Sequence, residues 1–338
     1  MATRDSERHL PRVGVIAPSA TLPRGELQLG LRRFREQGWP VELHPQCLKR
    51  SRFFAGTDEA RAAAFLEFAA DPEIDVLWFA RGGYGAARLL PELSRASKVL
   101  RKNPKTLVGY SDATALLNVA RQQWGWRTIH AMMPGGREFS ESSQRELDRA
   151  LDLVARQNRP APQKLRWIVP PEGRRKAEGI RGSVFGGNLT VLASLVGTPY
   201  FPDLKGSILF LEDVDEALYR IDRYALQLRL SGVLQGVRAI VLGEFTRCED
   251  RVLQALPKQV ASDSVSYPLT ESQLSKWPRE PVRRLIPLAS GLREIFGELG
   301  ATLRIPVAMG LRAGHGGGRI PLELGGSYEL TREGWLRG

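Results

Sequence analysis

A serine on a tight turn, a carboxylate at the end of a strand and a histidine in a glycine loop are the side chains of this sequence that could together cleave an acyl bond. Val108-Gly109-Tyr110-Ser111-Asp112-Ala113-Thr114 sets Ser111 between an apolar run and a helix-like run. A turn of that kind lifts a side chain above a sheet edge and aims the following backbone N–H groups at whatever it attacks. Ala113 stands where a G-x-S-x-G elbow has its second glycine, and a serine here also reads as a plain helix N-cap. A hydroxyl needs a base, and the base an orienting carboxylate. Of His9, His44, His130 and His315, the last stands in Ala313-Gly314-His315-Gly316-Gly317-Gly318-Arg319. Such a loop turns tightly and places an imidazole without steric competition, although a solvent-exposed turn histidine is the competing reading. For the acid, Glu212 ends the apolar run Ser207–Leu211, with Asp213 and Asp215 as rivals. Strand alternation lets only one of Glu212 and Asp213 face a site, and Asp213 or Asp215 also fits a cap on the following helix. The order Ser111, Glu212, His315 is one of those in which serine hydrolase triads are built.

Ala80-Arg81-Gly82-Gly83-Tyr84-Gly85 directly follows the apolar Ile74–Phe79. The Gly83 amide, with that of Asp112, would serve as an oxyanion hole. A phosphate loop is the weaker reading, because the segment has no Lys-Ser or Lys-Thr pair and no G-x-G-x-x-G spacing; a bare glycine turn also stays open.

These residues need rigid elements beneath them. Strand-like Arg12–Ala17, Val41–Leu43, Ile74–Phe79 and Lys105–Tyr110 alternate with helical patterns over Leu27–Phe34, Ala60–Ala70 and Asp112–Arg121, the last with Leu116, Leu117 and Ala120 on one apolar face. This βαβ rhythm predicts an α/β fold: an N-terminal, mainly parallel sheet flanked by helices, with ligands at the carboxyl ends of its strands, joined to a smaller C-terminal α/β or β-rich domain. The expected divisions are 1–155 for the nucleophile domain, 156–181 for a basic, proline-containing linker and 182–338 for the second domain. A proline-broken stretch at 248–297 reads as an insertion or lid.

The chain has 338 residues, 42% of them hydrophobic, and two cysteines far apart, Cys47 and Cys248. That composition fits a globular protein of a reducing cytoplasm, without a structural metal. No apolar run is long enough to cross a membrane. The net charge of +12 could mean nucleic acid, anionic lipid or anionic substrate. Half of that excess lies in Arg156–Arg181, where prolines rather than aromatics alternate with the charges. A solvated connector fits this segment better than a nucleic-acid face.

Six segments in order resemble the LD-carboxypeptidases, the murein tetrapeptide carboxypeptidases and related microcin-immunity peptidases. They are Val13–Ser19, Ala80–Gly85, Gly109–Thr114, Phe185-Gly186-Gly187-Asn188-Leu189, Leu211-Glu212-Asp213 with Tyr219–Arg223, and Gly314-His315-Gly316. The resemblance spans about residues 12 to 330. It implies a serine peptidase with Ser111 as nucleophile, His315 as general base, Glu212 as orienting acid and backbone oxyanion donors at Gly83 and Asp112. It also implies a homodimer, no metal or organic cofactor, and a muropeptide substrate that loses its terminal D-alanine. Arg81, Tyr84, Asn188 and Arg223 are the expected substrate contacts, with Arg81 and Arg223 as cations for the leaving carboxylate. A peptidase for peptidyl-nucleotide conjugates and a non-enzymatic basic binding module are the alternatives. The interval from Glu212 to His315 is longer than in the usual cytoplasmic murein enzymes, and its proline-broken stretch could overhang the site.

Overall fold

In the third strand of the chain, Val76 and Trp78 bury on one side while Leu77 and Phe79 bury on the other. A strand apolar on both faces has to be covered twice, each large side chain contributing about 1.5–3 kcal/mol by its burial. The computed structural model, which describes residues 10–159, 161–173, 178–249, 286–317 and 319–338, meets that demand with helices on both sides. Strands β1 (Val13–Ile16), β2 (Val41–Leu43), β3 (Val76–Phe79), β4 (Thr106–Gly109) and β5 (Arg127–His130) are parallel, in the spatial order β5-β4-β3-β1-β2. Helix α1 (Arg24–Glu36) covers one face with Leu27, Leu31 and Phe34, and α2 (Asp58–Ala70) the other with Phe65 and Phe68. The short helices α3 (Leu90–Arg95) and α4 (Ser97–Lys102) lead into β4, α5 (Thr114–Val119) follows it, and α6 (Arg137–Ser140) and α7 (Gln144–Val154) follow β5.

The second sheet contains β6 (Gln163–Lys164), β7 (Arg166–Val169), β8 (Ile180–Asn188), β9 (Ile208–Val214), β10 (Ala239–Thr246), β11 (Val307–Gly314), β13 (Ser327–Leu330) and β14 (Trp335–Arg337). Its centre, β8-β9-β10-β11, is parallel, and antiparallel strands extend both edges. Along β9, Leu209 and Leu211 face α8 (Leu189–Ser194), α9 (Leu218–Leu230) and α10 (Leu288–Leu303), whereas Ile208 and Phe210 join the core that surrounds α5. The α/β architecture matches the expectation, with the second sheet the more strand-rich part.

Three local expectations change. The run Asp112–Arg121 is not one amphipathic helix: a 3-10 turn over Ser111–Ala113 leads into α5 and then a π turn at Ala120–Trp124. Every residue from Thr114 to Ala120 is buried, because the second sheet covers the side of α5 that a lone domain would expose to water. The tight contact depends on Gly187, whose φ is +130° and whose missing Cβ would stand 2.6 Å from Thr114 Oγ1. The expected linker 156–181 contributes β6 and β7 to the second sheet, where Val169 and Trp167 pair with Val307 and Ala308. Of the expected insertion 248–297, residues 250–285 lie outside those described. Its end is corrected, since α10 begins at Leu288 and packs Gly291, Leu292 and Phe296 inward. Finally, β12 (Leu322–Leu324) returns to the first sheet as an antiparallel edge beside β5.

Candidate active site

Strand β4 delivers the chain to Tyr110 in an extended conformation, and Ser111 then takes φ +62°. A left-handed serine costs about 1–3 kcal/mol and needs a surrounding structure that imposes it. Part of that structure is the close fit of Ala113 against Gly109, where an added Cβ would lie 2.9 Å from the alanine methyl. The pattern's first glycine, Gly109, thus leaves room for the alanine that stands in place of its second. Gly82 crosses the serine so closely that a Cβ there would stand 2.9 Å from Ser111 Cβ and 3.0 Å from its Oγ. Gly83 follows with φ +106°.

This glycine loop is clamped from two directions. The Asp112 carboxylate accepts the Ala86 amide at 2.8 Å, tying the loop's end to the serine turn. Burial pushes that carboxyl up, while the Ala86 amide and the charge of Arg61 pull it back. Arg61, buried on α2, donates to the carbonyls of Gly85, at 2.9 Å, and Pro18, and pairs with Asp58. The two backbone amides expected as oxyanion donors thus belong to segments held to each other.

On β9 the side-chain alternation continues to the end of the strand. Glu212 falls on the Phe210 side and is wholly buried, whereas Asp213 turns to the other face. Glu212 Oε2 lies 2.6 Å from His315 Nδ1. Beside Glu212 the register of β10 shifts against both of its neighbours, the bulge making room at the strand ends. Burial alone would raise the Glu212 carboxyl, but the charges and polar contacts of His315 and His130 together outweigh it and hold it down to about 2. Burial likewise disfavours the His315 cation, and the charge and hydrogen bond of Glu212, joined by the charges of Asp213 and Glu138, overcome this and raise the imidazole above its ordinary 6.5. The His315 ring stands 4.6 Å from that of Tyr110, against the residue that precedes Ser111. Its loop is secured by the Gly316 amide, which donates to Glu244 Oε2 at 3.0 Å. With Nδ1 engaged, Nε2 is the nitrogen left to take a proton.

Other expected residues have different employment. Asp213 accepts from Asn188 Nδ2 and from the Thr190 amide and hydroxyl, all within 2.9 Å, and so serves the start of α8 rather than the helix that follows it. Asn188 is buried and caps α8, its side-chain oxygen accepting from Val191 N. Asp215 pairs with Arg247. Arg81 is exposed on the glycine loop and donates to Thr21 O; Tyr84 is exposed beside Phe53 and Phe54. Arg223 lies on the outer face of α9 over the Tyr219 ring. His44 caps a turn and pairs with Glu67, and His9 is outside the described residues.

Three residues went unassigned in the sequence reading. Arg61 and Glu244 hold the two loops, and His130, at the end of β5, is buried with Nε2 3.9 Å from Glu212 Oε1. Positions at the carboxyl ends of parallel strands were the available signal for Glu244 and His130. Among the described residues no group of three His, Cys, Asp or Glu is arranged to hold a metal ion. A larger cleft, lined by Lys105, Arg127, Arg156 and Glu323, opens at the amino ends of β4 and β5 and contains none of these side chains.

Comparison with known proteins gives a consistent result. Residues 13–131 match the model of the LD-carboxypeptidase N-terminal domain, and residues 181–330 match that of the C-terminal domain. The chain is 38% identical over 245 residues to a Streptomyces coelicolor protein that bears a carboxypeptidase name, covering 70% of this chain and 76% of that one. It is 32% identical over 310 residues to the murein tetrapeptide carboxypeptidase of Pseudomonas aeruginosa, covering 90% and 88%. The crystal structure of muramoyltetrapeptide carboxypeptidase from Oxalobacter formigenes superposes with a TM-score of 0.73 at 27% identity, covering 96% of each chain.

Proposed function

Because the chain belongs to the LD-carboxypeptidase family, we propose that it is a serine LD-carboxypeptidase that removes the terminal D-alanine from a muropeptide tetrapeptide in cell-wall recycling. Ser111 Oγ attacks the carbonyl between the L-centre of diaminopimelate or lysine and D-alanine. His315 Nε2 takes the hydroxyl proton, and Glu212 stabilises the resulting imidazolium through Nδ1. The amides of Gly83 and Asp112 receive the oxyanion. The C–N bond then breaks as His315 returns the proton to the departing amine. A water molecule, deprotonated by the same imidazole, hydrolyses the acyl ester and restores Ser111. Arg81 and Tyr84, exposed on the glycine loop, are the proposed substrate contacts, and a cytoplasmic homodimer completes the reading.

The observation that supports it most is the 2.6 Å contact between Glu212 and His315, with the imidazole packed on Tyr110 next to a left-handed serine. The test is mass spectrometry of a diaminopimelate-containing tetrapeptide incubated with wild type and Ser111→Ala. Wild type alone should release one D-alanine, the variant being slower by about 10⁵–10⁶-fold. A tetrapeptide left intact by the wild type overturns the substrate, and equal turnover by both proteins overturns the nucleophile.

A further inference from the structure

His130 and Glu212 come from different sheets. The first sheet fixes His130 between Gly109 on β4 and Leu322 on β12, and the second presents Glu212 from the end of β9. The imidazole is only 2% exposed and lies edge-on to Tyr110 and Phe210, with ring centroids at 5.7 and 5.1 Å. Phe210 precedes Glu212 by two residues and so shares its face of the strand. The aromatic contact that locates the His130 ring therefore also aims it at the carboxylate.

The carboxylate has two oxygens and only one is satisfied. Oε2 takes His315, while Oε1 is buried with no hydrogen-bond partner among the described residues. His130 Nε2 is likewise buried and without a partner, and the two orphaned atoms face each other at 3.9 Å. Leaving both unpaired would cost each its lost hydration with nothing in return. Their separation exceeds a hydrogen bond by less than 1 Å, and a small rotation or one bridging water closes it. A small cavity beside the imidazole is lined by Tyr110, Glu138 and Arg319 together with the apolar Ala131, Met132 and Ile320, and the Arg319 Nε also has no hydrogen-bond partner among the described residues.

We propose that His130 is a positioning residue, whose Nε2–H serves Glu212 Oε1 directly or through one water and so holds Oε2 on His315. The inference rests on the triad reading above. A carboxylate held by one oxygen alone can rotate about its terminal bond; held by both, it presents a fixed acceptor to the imidazole that must change charge during the reaction. The nucleophile's sheet thereby helps to orient an acid that belongs to the other sheet.

The test compares His130→Phe, which keeps the ring and removes the donor, with His130→Gln, which returns an N–H near the Nε2 position. The first readout is the rate of Ser111 labelling by a fluorophosphonate, which requires no knowledge of the substrate, so a wrong substrate and a wrong role for His130 give different results. His130→Phe should label about 10–100-fold more slowly, with the KM for tetrapeptide unchanged and kcat lowered to match. His130→Gln should recover most of the loss. In a Glu212→Gln background the His130→Phe penalty should disappear, because the effect travels through that carboxylate. Labelling by folded His130→Phe at the wild-type rate overturns the proposal. So does a penalty of the same size in the Glu212→Gln background, which is what a purely packing role predicts.

Discussion

At the carboxyl end of the first sheet the proposed nucleophile sits on a strained turn and is held from outside, whereas at that of the second the proposed acid lies inside a strand and is held by register. Ser111 needs Gly82 above it, Gly109 beneath it and Arg61 clamping the neighbouring loop. Glu212 is placed chiefly by β9, where alternation turns it inward, and by a bulge in β10 that leaves it room, with the proposed contact to His130 as its one anchor from the other sheet. Turn-borne chemistry is thus exposed to damage at anchors distant in sequence. Strand-borne chemistry is exposed to loss of the carboxylate itself.

The largest effect expected from that contrast separates two adjacent acids. Glu212→Gln should lower kcat by about 10⁴-fold in steady-state assays, with the fold retained, since it removes the charge that orients and supports the imidazole. On the other edge, Arg61→Met should destabilise by about 3–5 kcal/mol in urea titration and lower kcat, because two buried carbonyls and Asp58 lose a charged donor. Gly187→Ala strikes the contact between the halves, and its positive φ and proximity to Thr114 predict a loss of about 2–4 kcal/mol. Asp213→Asn should cost about 1–3 kcal/mol and leave the kcat of folded protein nearly unchanged; a loss like that of Glu212→Gln would break the distinction between the two faces of β9.

The pH dependence is the mildest probe. His315 must be neutral to act as base, and its raised value puts the acid limb of kcat/KM above 6.5. Glu212→Gln should move that limb down. For stability the signs differ between partners. The raised imidazole contributes fully below pH 6.5, and its contribution is lost as pH rises through the folded value. The lowered carboxylate contributes above pH 4.5 and is lost as pH falls towards about 2. Thermal melts across both ranges, for wild type and Glu212→Gln, would reveal the difference.

The local patterns were legible where a residue's role depends on its neighbours in sequence. The βαβ alternation and the turn at Ser111 follow from spacing, and strand period sends Glu212 and Asp213 to opposite faces without saying which of them meets the site. Arg61 was not legible, because an arginine on a helix reads as a solvated charge until a loop carbonyl approaches it. His130 looked like any strand-end histidine until β9 came from the other sheet. The burial of α5 on all sides failed for the same reason: one sequence segment does not reveal that a second sheet will cover it. At Asn188 the capping role was not legible, because a cap and a ligand contact use the same amide.

The path of the chain after His315 has a consequence in time. The loop bearing the base leaves β11 in one sheet and enters β12 in the other, so it is a tether anchored at both ends. During synthesis Ser111 emerges 204 residues before His315, roughly 10–40 s earlier at usual elongation rates. Throughout that interval the proposed base is absent, and after His315 emerges its loop is held only from the β11 side and by the second sheet until Leu322–Leu324 joins β5. On the proposed function the protein would therefore be armed late in its own production, by the same short strand that closes the edge of its first sheet.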